Sequence, residues 1–196
     1  MERTRSRRRR AAQAVLVELA ALICDAAIAA PARARPAIHV DITSFAHCDD
    51  LFSGVRVAIA TGELLFRYRG DFPQPPPLDI VIRAQSEAEL ARFDEALSFG
   101  STELRDGRAF VVLNPRALRG PRALNDAELR SLLGHELRHA YQFARGPFRE
   151  NSPELWRREV DAFEWELAHR DPGVRPWYRA DTENQLRLYR ALLESP

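Results

Sequence analysis

The sequence predicts an α+β fold, a small mixed or antiparallel sheet packed beside late helices. Three observations carry this. Alternating or β-branched segments at 37–44, 78–84 and 101–115 all lie in the first part of the chain. Segments of helical period with recognisable caps and stops dominate from residue 125 onward. The 196 residues are 45% hydrophobic and 29% charged, enough apolar material for one core without disulfide staples.

Each element follows from local chemistry. PARARP (31–36) reads as a linker, and AIHVDITS (37–44) alternates as a strand. Residues 45–70, with VRVAIATGELLFRYRG, fit a strand pair or a helix equally. DFPQPPP (71–77) is a stiff loop, because proline fixes φ and removes donors. LDIVIRA (78–84) is a strand. SEAELARFDEALS (86–98) opens with Ser86 and Glu89 at capping-box spacing and continues as a helix. STELRDGRAFVVLNP (101–115) is a hairpin turning at Asp106-Gly107. The next helix is capped by Asn125 or Asp126 and stopped by Gly146-Pro147. Leu129, Leu133, Leu137, Ala140 and Ala144 form its core stripe, with Leu132, His135, His139 and Phe143 on an adjacent one. Residues 152–173 form another helix, with Ser152 as cap, Pro153 in the first turn and Asp171-Pro172-Gly173 as stop. A last helix covers 181–194.

Residues 1–35 stand apart from the domain, 36–196. They hold eight arginines against Glu2, Glu18 and Asp25, a net of +5, while the rest of the chain is −4 and the whole is +1. Nothing global therefore points to nucleic acid. MERTRSRRRR followed by an apolar run fits a signal peptide. Glu18 and Asp25, about 20° apart at 100° per residue, fit an amphipathic helix that packs on the domain or contacts a membrane surface. The first reading makes the protein exported, the second cytoplasmic. The same acids and the short apolar run disfavour a transmembrane span. Only Cys24 and Cys48 are present, which excludes a disulfide framework and a cysteine-rich metal module.

The chemistry lies in SLLGHELRHAYQ (131–142). His135 and His139 are one helical turn apart on one face, so both rings can hold one Zn²⁺. Glu136 is rotated aside, where it can take a proton from an activated water. A third ligand must arrive from another element. EVDA (159–162) on the following helix supplies Glu159, with the small Ala162 leaving room; Asp161 and Glu164 are the rivals. Gly134, inside the helix, fits a close approach by another backbone.

The pattern HELRHAYQ followed by a helix carrying E-x-x-A resembles the gluzincin metallopeptidases, particularly the small minigluzincins, over residues 126–166. The resemblance implies a zincin-like domain that binds Zn²⁺ through His135, His139 and Glu159. It implies Glu136 as general base and a peptide or protein as substrate. It also implies a sheet edge strand along which substrate lies, a place that Ala109–Asn114 fits by order and composition. One position departs. Many gluzincins carry a histidine-orienting acid four residues after the glutamate ligand, and here Phe163 stands there, leaving Glu164, Asp161 or a backbone carbonyl for the task.

Two other functions fit the residues. One is a non-catalytic protein that keeps the fold for binding or structure. The other is a different zinc-dependent amide hydrolase, with Cys48 as upstream ligand. His39, His47 and His169 read as surface or capping histidines, and Trp156, Trp165 and Trp177 as packing residues or pocket walls. Tyr178, Arg179 and Tyr189 are candidates to stabilise an oxyanion.

Overall fold

Strand and helix fall in the expected order in the computed structural model, which describes residues 35–48, 51–90, 98–149, 151–169 and 171–195. Pro36–Pro196 cluster as one unit. The two readings of residues 1–34, with Cys24, lie outside the described residues. The described part is α+β: a four-stranded mixed sheet and five α-helices.

The sheet order is β1 (Ile38–Val40), β2 (Ile80–Ala84), β4 (Arg108–Leu113), β3 (Gly100–Arg105). The first three run parallel, and β3 pairs antiparallel with β4, Gly100 opposite Leu113. The hairpin turns through Asp106 (φ 49°) and Gly107 (φ 75°), the left-handed pair that a tight turn requires. This arrangement corrects the edge assignment. Ala109–Asn114 contributes the interior strand β4, whose Ala109, Val111 and Leu113 are fully buried, and the edge belongs to β3. A strand with that many apolar residues is buried on both flanks, whereas the polar GSTELR tolerates an edge.

β1 is shorter than expected, and a 3-10 helix (Ile42–Cys48) replaces its end. Thr43 Oγ1 donates to Asp41 Oδ1 (2.6 Å) and Ser44 Oγ to the Asp41 carbonyl (2.6 Å), so local side-chain bonds win over the ladder. The undecided stretch after it is helix α1 (Leu51–Arg67), which buries Val57, Ala60, Thr61 and Leu64 at helical spacing. Helix α2 (Glu87–Leu90) opens with the expected capping box. Glu89 N–H donates to Ser86 Oγ (3.2 Å) and Ser86 N–H to Glu89 Oε2 (2.8 Å). Its continuation through 91–97 lies outside the described residues.

Helix α3 (Asp126–Gln142) is capped by Asn125, with Glu128 completing a capping box. Leu129, Leu133, Leu137 and Ala140 are buried as expected, but Ala144 is exposed. The chain tightens into a 3-10 turn (Phe143–Arg145) there, which carries Ala144 off the stripe before Gly146 stops it at φ 112°. Helix α4 (Pro153–Ala168) starts at Ser152 and Pro153. Helix α5 (Pro176–Glu194) starts five residues earlier than expected, with Pro176 in its first turn. Arg175 pins that start: its backbone N–H and Nε donate to Glu128 Oε1 (3.1 and 2.7 Å), and Nη2 pairs with Glu128 Oε2. Among the described residues no helix is long and apolar enough to cross a membrane.

Candidate metal centre

Helix α3 packs against both β3 and helix α4, with His135 and His139 turned toward α4 and Glu136 toward β3, and all three are buried. Gly134 makes the crossing of α1, α3 and α4 tight. A Cβ there would lie 2.2 Å from Trp165 Cζ3 and 2.6 Å from Cη2. The partner at this glycine is therefore an indole, not the backbone anticipated above.

Helix α4 carries Glu159, Phe163 and Glu166 at spacings of four and three, hence on one face. Glu159 Oε2 stands 3.6 Å from His135 Nε2 and 3.5 Å from His139 Nε2, and the two ring nitrogens are 3.1 Å apart. Three ligands placed tetrahedrally at about 2.0–2.1 Å from a Zn²⁺ would lie roughly 3.3–3.4 Å from one another. The three sides of this triangle bracket that value. Among the described residues His135, His139 and Glu159 form the one cluster of this kind. The two rivals are elsewhere. Asp161 receives Arg138 Nε and Nη2 (both 2.9 Å), and Glu164 pairs with Arg190 at the surface (2.7 Å). The side chain of Cys48 is not among those described.

The support of the two histidines differs from expectation. Gln142 donates its amide N–H to Asp161 Oδ2 (2.7 Å) and the Arg158 carbonyl (3.2 Å), which turns its Oε1 toward His139 Nδ1 (2.9 Å). An acceptor there makes Nδ1 the protonated nitrogen and leaves the Nε2 lone pair facing Glu159. Asp161 thus acts on His139 through Gln142. For His135 the acid is Glu166, two turns after Glu159 rather than one. Its Oε2 lies 3.3 Å from His135 Nδ1, off the line of an ideal hydrogen bond. Ser131 Oγ donates to Glu166 Oε1 (2.9 Å), and burial and the nearby Glu166 charge push the Tyr178 hydroxyl up. Phe163 packs its ring against His135, centroids 4.2 Å apart. On this helical stripe the aromatic stands four residues after Glu159 and the acid seven. Position i+7 shares the face of i and i+4, the signal by which Glu166 could have been found.

The electrostatics follow from these contacts. Burial disfavours charge on both His135 and Glu159, yet their attraction prevails. Glu159, with Glu166, lifts His135 to about 10, and the two histidines lower Glu159 to about 2. Glu136 is raised, chiefly by burial, against the opposing pull of both histidines. Thr102 on β3 holds it, with Oγ1 2.6 Å from Glu136 Oε2 and 3.0 Å from its carbonyl oxygen. Gly100 lets the strand close on the same carboxylate, since a Cβ there would sit 3.2 Å from Oε1. Neither Thr102 nor Gly100 carries a sequence pattern that marks it.

Of the three oxyanion candidates, Tyr178 is buried beside the Glu166 charge, and Arg179 pairs with Glu183 at the surface (2.7 Å). Tyr189 is half-buried and stacked on Phe163 (5.9 Å). Burial and the Glu159 charge push its hydroxyl up to about 12. No family model, curated protein or solved structure matches the chain.

Proposed function

We propose that the chain is a zinc-dependent metallopeptidase of the gluzincin type, with a zincin-like domain. The observation that carries this reading is the His135–His139–Glu159 triangle beside a buried Glu136 that touches a sheet edge. The donor set of two imidazoles and one carboxylate, with no further protein ligand among the described residues, suits a catalytic zinc that keeps an open position. When bound, the ion supplies a water of lowered pKa and polarises a carbonyl.

The chain's own residues do the rest. His135, His139 and Glu159 hold the ion, with Gln142 and Glu166 fixing the two rings. Glu136 takes the proton of the attacking water and delivers it to the leaving amine. Its raised pKa suits it to that exchange, and Thr102 keeps one carboxylate oxygen in place. β3 has no neighbour strand on its outer side among the described residues, so an extended peptide can pair with it. Tyr189 stays protonated at neutral pH and serves as donor to the oxygen that gains charge.

The test is cleavage of an unstructured protein such as unfolded casein by the protein loaded with one equivalent of zinc. Cleavage that a chelator stops and fresh zinc restores is the expected result. A zinc-loaded protein that leaves this and a broad mixture of peptides intact would contradict the reading.

A further inference from the structure

β3 does not begin at a blank surface. Ser98 and Phe99 lead straight into Gly100, the residue that touches Glu136, and together with helix α5 they line a cavity of about 700 Å³. Phe99 and Trp177 pack against each other, ring centroids 6.1 Å apart, and form one aromatic wall of it. Trp177 keeps 38% of its surface exposed even though Arg175 lies over its ring at 5.2 Å. One turn on, the exposed Ala180 leaves the helical wall beside Trp177 low, and Asn114 and Asn184 add amide edges. Helix α5 thus spans both regions, Trp177 in this cavity and Tyr189 on the Phe163 ring beside His135.

From this continuity we infer that the cavity is a specificity pocket that takes an aromatic side chain of a peptide lying along β3. The inference rests on the metallopeptidase reading and extends it to a substrate class. Three features select the occupant. The pocket continues the strand on which peptide backbone would pair, so a residue near the scissile bond delivers its side chain there. A cavity of roughly 150 Å³ suffices for one benzene ring, so this one admits a large ring with adjoining backbone. The partly exposed Trp177 ring, backed by Phe99, rewards an incoming ring beyond its buried area by offset or edge contact.

The experiment measures binding and cleavage separately. Labelled dodecapeptides of one alanine-rich sequence, with Phe, Trp or Ala at a single central position, are titrated into zinc-loaded Glu136→Gln protein and followed by anisotropy. The Phe and Trp peptides are expected to bind roughly tenfold or more tightly than the Ala peptide. Trp177→Ala removes one wall, and Ala180→Trp fills the space. Either change, made in the Glu136→Gln background, is expected to erase that difference while the circular dichroism spectrum remains that of the folded parent and unfolding stays cooperative. Equal binding of the three peptides, or a difference that survives both variants, overturns the pocket. The same peptides are offered to zinc-loaded wild type. Selective binding without cleavage keeps the pocket and defeats the peptidase reading; cleavage without aromatic preference keeps the peptidase and defeats the pocket.

Discussion

Glu136→Gln is expected to lower kcat/KM for peptide cleavage by about 10²–10⁴-fold while zinc content stays at wild-type level. The substitution keeps the shape of the side chain, and the Gln carbonyl can still accept from Thr102 Oγ1 at the 2.6 Å contact. It removes only the capacity to take and return a proton. Because burial already holds the Glu136 carboxyl above its ordinary value, the wild-type rate should fall on the acid side of the pH profile as that group protonates. Glu136→Gln should lose that dependence along with the rate. A variant that keeps activity within a few-fold would place the base elsewhere. A variant that loses zinc instead would place Glu136 among the ligands.

Gly134→Ala is expected to destabilise the metal-free protein by about 1–3 kcal/mol, a typical overpacking cost. Helix propensity alone points the other way, since alanine in a helix interior is favoured over glycine by roughly 0.8–1 kcal/mol. Contact decides the sign. The new Cβ would meet Trp165 Cζ3 at 2.2 Å, and the indole has little room to yield. It lies edge-on to Tyr68 (5.3 Å) and Phe72 (5.1 Å) and stacks on His169 (4.6 Å). Urea unfolding followed by tryptophan fluorescence reads the effect. In a double-mutant cycle with Trp165→Leu, the loss from Gly134→Ala should shrink, because the colliding ring is gone. Stabilisation by Gly134→Ala in wild-type background would show that the helices can part at no cost. The site would notice any such parting, since Trp165 and Gly134 are sequence neighbours of Glu166 and His135.

Much of this architecture was readable from local chemistry, and the failures have a common cause. The Asp106-Gly107 turn and the caps at Asn125, Ser86 and Ser152 rest on bonds within a few residues, and those bonds form. His135, Glu136 and His139 share one helix, so their relation needed no tertiary information. What sequence left open depends on which surfaces meet. The edge of the sheet passed from Ala109–Asn114 to β3 because strand order is a property of the whole sheet. Thr102 and Gly100 gain their roles only once β3 lies on α3. Of the acids expected to support the histidines, Asp161 acts only through Gln142 of the neighbouring helix, and Glu166 takes the place expected of Glu164, because packing chooses which residues of α4 face α3. Helix α5 starts early because Arg175 reaches Glu128, 47 residues away in the chain.

Zinc uptake by wild type and Glu159→Ala, measured by isothermal titration calorimetry in buffers of differing ionisation enthalpy, tests the central claim most directly. His135 holds a proton at neutral pH in the metal-free protein, because burial is outweighed by Glu159 and Glu166, which raise it to about 10. The metal must displace that proton. Wild type should therefore bind one ion per chain and release about one proton at pH 7. Affinity should climb as pH rises toward 9 and fall as it drops. Glu159→Ala should bind zinc at least about a hundredfold more weakly, having lost one of three ligands. Equal affinity in the two proteins, or a wild type that takes up no zinc, would contradict the account.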